Sequence, residues 1–284
     1  MILIVGATGT NGREVVSRLA KAGEPVRAMV RNPGKAGDLR GENVEIVAGD
    51  LDNATALDAA LAGVERTFFL APVDQRYVGW FRSFLDAARR AGLRHVVRFS
   101  AMGASLGSAS EILRQHGETD QMLADSGLPY TILRPNSFYQ NMLWSAGTIK
   151  DHGAFYLSIG DARQSLVDVR DIAAVALSVL TSTGHEGKTY EITGPESLSY
   201  HDVAQKLSAV LGRAIQYVNV PPEAALDALR KTGMAEWNAR AVSELYGVFA
   251  TGSGARITDV VERITHNKPI DFEEFAREHS GAFN

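Results

Sequence analysis

Residues 1–33 read MILIVGATGTNGREVVSRLAKAGEPVRAMVRNP. A short apolar run, Ile2 to Val5, meets a turn carrying Gly6, Gly9 and Gly12. The turn opens a helix, Asn11 to Ala22, with Val15, Val16 and Leu19 on its apolar side. Strand, glycine-rich turn and helix in this order are what a phosphate-binding βα unit needs. The glycines allow a tight turn and a close approach of pyrophosphate to the backbone, and the helix N-terminus offers free N–H groups and the positive end of its dipole. The spacing is GxxGxxG, one residue longer between the first two glycines than GxGxxG. A glycine-rich connection in any α/β domain has the same look, so the rest of the chain supplies the decision.

Working outward, Pro25 to Val30, Val44 to Val47, Arg66 to Leu70 and His95 to Phe99 read as further strands, with helical segments near 54 to 62 and 76 to 91. A helix from about Ser108 to Ser126 leads through Gly127-Leu128-Pro129 into a sixth strand, Tyr130 to Leu133. This alternation predicts an α/β fold, a Rossmann-type doubly wound parallel sheet with helices on both faces. After Pro135 the rhythm changes. Mixed segments run to about 165, followed by a helix near Asp171 to Thr181 and a strand at Lys188 to Ile192. Ser199 to Leu211 reads as an amphipathic helix with Ser199 as its N-cap, Ile215 to Val218 as a strand, about 222 to 250 as more helix, and Asp271 to His279 as a last helix. The expectation is a dinucleotide-binding domain over 1–150 and a smaller, mostly helical C-terminal substrate lobe over 151–284, with segments near 165–195 free to return to the first sheet.

Composition narrows the function classes. The chain is 284 residues long, 45% hydrophobic and 22% charged, with a formal net charge of -4. Those are the proportions of an ordinary globular protein. No basic tract resembles a nucleic-acid patch, so direct nucleic-acid binding is not expected. The absence of cysteine excludes disulfides, thiolate metal sites and a Cys nucleophile. No HExxH or other metal spacing and no GxSxG elbow occur, so no metal is expected. The N-terminal apolar run is too short for a signal peptide, and no stretch approaches the roughly 18 apolar residues of a membrane span. The expectation is a soluble, unprocessed, cytoplasmic protein that does not engage membranes.

The end of the second strand bears on which nucleotide is bound, although an arginine there, taken alone, also suits a solvent-facing turn. An NAD site places an acidic residue about 20 positions beyond the glycines to hold the ribose 2′-hydroxyl, whereas an NADP site uses Arg against the 2′-phosphate. Arg31 occupies that place, and Lys35 is a second positive charge nearby. A planar guanidinium suits a phosphate, which points to NADP, with NADPH preferred over NADH. Asp50 and Leu51 follow the third strand, where an acidic side chain can face the adenine. Leu70 and Ala71 follow the fourth strand and Ser100 the fifth. Ligands of open α/β sheets gather at these strand ends.

With GATGTNG at 6–12, VRNP at 30–33, GDL at 49–51, FSAMG at 99–103, ILRPNSFYQN at 132–141 and DVRDIA at 168–173, nearly the whole chain resembles the short-chain dehydrogenase/reductase superfamily. It is most similar to the atypical NmrA-like branch, which includes NAD(P)H quinone oxidoreductases, triphenylmethane-dye reductases, azoreductase-like proteins and cofactor-sensing regulators. The resemblance implies that Thr8, Gly9, Thr10, Asn11 and Gly12 contact pyrophosphate and Arg31 the 2′-phosphate. It implies Leu70, Ala71, Ser100 and Asn136 at the nicotinamide half.

The sequence departs from the superfamily at its usual catalytic signature, Tyr-x-x-x-Lys. None of the eight tyrosines has Lys four residues later. In the helix that carries this pair, His116 and Asp120 have the spacing instead and share one helical face. A ketone reductase needs an acid for its basic alkoxide product, whereas a quinone yields a phenolate-like product with a pKa of about 10 that water or His can protonate. The departure therefore favours a small activated aromatic acceptor, such as a quinone, azo or triarylmethane dye, or else a non-catalytic NADP(H)-sensing regulator acting through a protein partner. A sugar-nucleotide epimerase, which leans on the absent pair, is disfavoured. His116 is read equally as a proton relay or substrate contact and as a surface histidine in a charged turn. Phe138, Tyr139, Met142 and Trp144 suit either an apolar wall for a flat acceptor or the core.

Overall fold

Successive residues of the first strand point into different cores. Ile2 and Ile4 pack on one face of a sheet, Leu3 and Val5 on the other, and all four are buried. A strand apolar on both faces belongs to a sheet covered on both sides, which is the parallel arrangement. The computed structural model describes all residues except Arg40 and the side chains of Lys35 and Asp38.

In chain order, β1 (Ile2–Val5) is followed by α1 (Thr10–Lys21), β2 (Val26–Val30) and β3 (Val44–Ala48). Next come α2 (Ala54–Leu61), β4 (Arg66–Phe69), α3 (Tyr77–Ala91), β5 (His95–Phe99), α4 (Glu111–Ala124) and β6 (Tyr130–Pro135). The second half holds α5 (Ala146–His152), β7 (Ala154–Leu157), α6 (Val169–Thr181), β8 (Lys188–Ile192), α7 (Tyr200–Leu211) and β9 (Gln216–Asn219). It ends with α8 (Pro222–Lys231), α9 (Glu236–Phe249), α10 (Val260–Thr265), α11 (Phe272–Glu278) and α12 (Ser280–Phe283). Among the described residues seven strands form one sheet in the order β3, β2, β1, β4, β5, β6, β8, every pairing parallel. The chain order reverses between β1 and β4, where a crevice opens at the C-terminal strand ends.

The helices fall on two sides. Val15, Val16 and Leu19 of α1 pack with Ile172, Val175 and Val179 of α6 on one face, joined by Val260 and Val261 of α10. On the other face Leu57 and Leu61 of α2, Phe81 and Phe84 of α3 and Leu123 of α4 form a second core. There Phe69 meets Phe81 and Phe84 with ring centroids 4.9 and 4.6 Å apart. Each such buried side chain contributes about 1.5–3 kcal/mol relative to an exposed one. A third core lies beyond the sheet, where β7 and β9 pair in parallel and pack with α5, α7, α11 and α12 around Phe155, Leu207, Phe272 and Phe275.

Three segments differ from the expectation. The stretch 222–250 is two helices, because the first stops at Lys231 ahead of Gly233 and the second starts at Glu236. The mixed region before 165 contains α5 and β7; β7 has only four residues and one parallel partner, too short for a period-two signal. The fourth helix begins at Glu111 rather than near Ser108. By contrast Ser199 caps α7 as expected, its Oγ accepting from Asp202 N while Asp202 Oδ2 accepts from Ser199 N. Ser199→Ala should lower stability by about 1 kcal/mol, read from the urea midpoint at unchanged slope. No change would mean that α7 is held by its packing alone.

Candidate functional site

The glycine turn is shaped by two close approaches. Gly6 has φ +78, and a Cβ there would lie 2.3 Å from the Leu70 carbonyl oxygen. A Cβ on Gly12 would lie 2.1 Å from the Gly6 carbonyl oxygen, so α1 can leave the strand only with glycine at both positions. At the mouth of the turn α1 is bare. Its N-cap, Gly9, provides no side-chain cap, and no acidic residue occupies the first turn. The buried Oδ1 of Asn11 has no hydrogen-bond partner. An uncapped N-terminus, an unsatisfied polar atom and a turn without side chains fit the pyrophosphate of a dinucleotide.

Around the turn the strand ends enclose a cavity of ≈ 430 Å³. Gly6, Thr8, Gly9, Arg31, Asp50, Leu51, Leu70 and Ala71, eight of the residues singled out in the sequence, all line it. Arg31 follows the last residue of β2 and is exposed there. Asp50 accepts from Asp52 N at 3.1 Å through Oδ1. Thr10 borders a different cavity, beside Arg13 on the outer side of α1, and Gly12 acts through packing. The Lys35 side chain lies outside the described residues.

Two expected contacts toward the nicotinamide half have their polar groups occupied by protein. Ser100 Oγ donates to Asp120 Oδ2 at 2.9 Å. Asn136 Nδ2 donates to Ser165 Oγ and to Gly254 O, each at 2.8 Å, and its Oδ1 accepts from Ser137 N at 2.7 Å. Asn136 thereby ties the end of β6 to the segment following α9.

The rim of the cavity adds residues not anticipated. Trp80 Nε1 donates to Asp52 Oδ1 at 2.6 Å, Arg76 Nη1 donates to Asp52 Oδ2 at 2.8 Å, and the Arg76 guanidinium lies 4.5 Å from the Trp80 ring centroid. The available signal was position alone, since Arg76 and Trp80 open the helix that follows the fourth strand.

His116 and Asp120 belong to a buried charge cluster. Arg98, on β5, is 0% exposed. One nitrogen donates to Asp120 Oδ1, and the other reaches Thr119 Oγ1, Tyr77 OH at 3.2 Å and His116 Nδ1 at 3.1 Å. Arg134, on β6, donates from Nε and Nη2 to Asp120 Oδ2 at 2.9 and 2.8 Å. The reading of His116 as a surface residue without a partner is thus corrected; α4 turns it onto Arg98, half-buried beside Tyr77, with ring centroids 5.2 Å apart. Arg98 can only donate, so Nδ1 accepts and the proton sits on Nε2. Burial first, then the charges of Arg98 and Arg134, hold His116 well below the usual histidine pKa, and burial raises Tyr77. Two guanidiniums, one carboxylate and a neutral imidazole leave the cluster one net positive charge.

The aromatic run after β6 divides. Tyr139 is fully buried against Phe272 and Phe275, whereas Phe138, Met142 and Trp144 line a second cavity, of ≈ 610 Å³, between the end of β6 and the helices beyond β9. From those helices α9 reaches back to the loop after β4 and to the start of α4, Asn238 Nδ2 donating to Val73 O at 2.7 Å and Glu244 Oε2 accepting from Glu111 N at 2.9 Å.

Residues 6–183, well over half the chain, match the family model described as NAD(P)H-binding. The chain belongs to the NAD(P)H-binding family. This NAD(P)H-binding protein is 40% identical over 283 residues to the NAD(P)H azoreductase of Xenophilus azovorans, with 100% of this chain and 99% of the relative covered. It superposes on the NADPH-dependent quinone oxidoreductase of Escherichia coli, solved with NADPH, with a TM-score of 0.90 at 29% identity, both chains covered to 100%. It also superposes on the triphenylmethane reductase of Citrobacter sp., solved with NADP(H), with a TM-score of 0.86 at 26% identity, covering 98% of this chain and 99% of that one. Among the described residues of the NAD(P)H-binding chain no helix is long and apolar enough to cross a membrane, and no cluster of His, Asp and Glu could hold a metal.

Proposed function

We propose that this chain is an NADPH-dependent reductase of activated aromatic acceptors of the quinone, azo or dye type. The observation that carries the reading is the cavity that gathers the glycine turn, Arg31, Asp50, Leu70 and Ala71 at the switch point of the sheet. The names of the relatives, an azoreductase, a quinone oxidoreductase and a triphenylmethane reductase, support it. They lend no support to a non-catalytic sensor.

Residues 1–150 with 165–195 carry the cofactor side, and the remainder of 151–284 shapes the acceptor side. The first turn of α1 holds the pyrophosphate, Arg31 meets the 2′-phosphate, and Leu70, Ala71, Ser100 and Asn136 bound the nicotinamide half. Bound there, NADPH supplies hydride. Arg31 makes the site prefer NADPH over NADH.

The chain's own contribution is positioning and electrostatics. The cluster of Arg98, Arg134 and Asp120 lies beneath the ends of β5 and β6, where Asp120 holds Ser100 in place. His116 serves as a hydrogen-bond donor through Nε2 rather than as an imidazolium acid, and water supplies the proton. The rate with a quinone should therefore show no ionisation near 6.5, the ordinary histidine value, and His116→Gln should keep the rate within about tenfold. A rate that falls as pH rises through that value, and does so only with His116 present, would make His116 the acid instead.

The test of the reading is loss of nicotinamide absorbance with a panel of quinones, azo dyes and triarylmethane dyes against a protein-free control. Turnover is expected with members of the panel. NADPH binding without turnover across all of them refutes the reductase.

A further inference from the structure

Among the described residues, none that lines the ≈ 610 Å³ cavity carries a charged side chain. In a chain that is 22% charged, that wall describes the chemistry of its occupant. Phe138, Trp144, Tyr156, Tyr200 and Tyr246 present aromatic rings to it, while Ser137 and Asn141, hydrogen-bonded to one another at 3.1 Å, place polar uncharged groups at the end adjoining Asn136 and the sheet. Ring faces along the walls and neutral hydrogen-bonding groups at one end match a flat aromatic carbonyl compound.

Resting on the reductase reading above, we infer that the pocket discriminates against anionic aromatic acceptors in favour of uncharged ones. A quinone takes up two electrons and two protons to become the quinol, as hydride from NADPH, which leaves as NADP⁺, and as a proton from water. The wall formed by α8, with Ala225, Ala228 and Leu229, sets the discrimination, because it offers only apolar surface to a ring substituent. A sulfonate or carboxylate carried into the pocket loses water and finds no cation. The pocket's own phenols respond in the same sense, since burial pushes Tyr200 and Tyr246 up, away from the charged form.

The test is equilibrium binding to the full chain saturated with NADP⁺, which cannot turn over, of anthraquinone sulfonate and of its neutral hydroxymethyl counterpart, by titration calorimetry. The neutral compound should bind at least about 100-fold more tightly, roughly 2.8 kcal/mol at about 1.4 kcal/mol per tenfold. Ala228 is exposed on α8, so Ala228→Arg should fold. It should bring the sulfonate to within about fivefold of the neutral compound, with NADP⁺ affinity unchanged. The proposal is overturned if the wild-type chain binds the sulfonate within about threefold of the neutral compound, or binds neither. Failure of the reductase reading has a different signature, a neutral quinone that binds yet does not oxidise NADPH.

Discussion

Asp120→Ala should lower the stability of the chain by about 3–5 kcal/mol, the largest effect expected of any single substitution considered. Arg98 is 0% exposed and its principal anionic partner is Asp120. Removing the carboxylate leaves a guanidinium that can neither deprotonate nor reach water. Arg134 loses the same partner but is 25% exposed and can rehydrate. Urea unfolding measures the loss. The double variant Arg98→Met with Asp120→Leu removes both buried charges and should recover most of it, because an apolar pair of similar volume replaces an ion pair at little net cost. A loss below about 1 kcal/mol in the single variant would show that Arg98 is not confined as described.

Arg31→Ala should weaken NADPH binding about 100-fold while leaving NADH within about threefold. A charge-assisted hydrogen bond contributes about 1.5–3 kcal/mol, and a guanidinium can present two donors to one phosphate. The NADH ribose carries a hydroxyl there, so it loses little. Raising salt should reduce the wild-type preference for NADPH, because Arg31 is exposed. Fluorescence titration with both nucleotides decides the matter, and equal losses would remove Arg31 from the 2′-phosphate site.

Much of the fold of the first half was legible because its signals are local. The apolar run of Ile2 to Val5, the glycines and Arg31 lie within one βα unit and the end of the strand that follows it. The spacing of His116 and Asp120 was equally visible, but not what it is for. Their partners Arg98 and Arg134 sit on β5 and β6, and an arginine inside an otherwise apolar strand carries no mark of the carboxylate that will neutralise it. Asn136 and Ser165 are similarly joined through the carbonyl of Gly254, more than a hundred residues beyond Asn136. The acceptor cavity was the least legible. Its walls come from the end of β6, β7, α7, α8 and α9, and the division that sends Tyr139 into the core and Trp144 to the pocket depends on packing that no periodicity encodes.

The central claim, that NADPH held at the glycine turn reduces a neutral quinone, is tested most directly by a single turnover. NADPH-loaded protein is mixed anaerobically with a neutral quinone, and nicotinamide and quinol absorbance are followed together. Nicotinamide oxidation and quinol formation are expected at one rate and in equal amounts. A quinone that binds while the nicotinamide absorbance stays unchanged would contradict it.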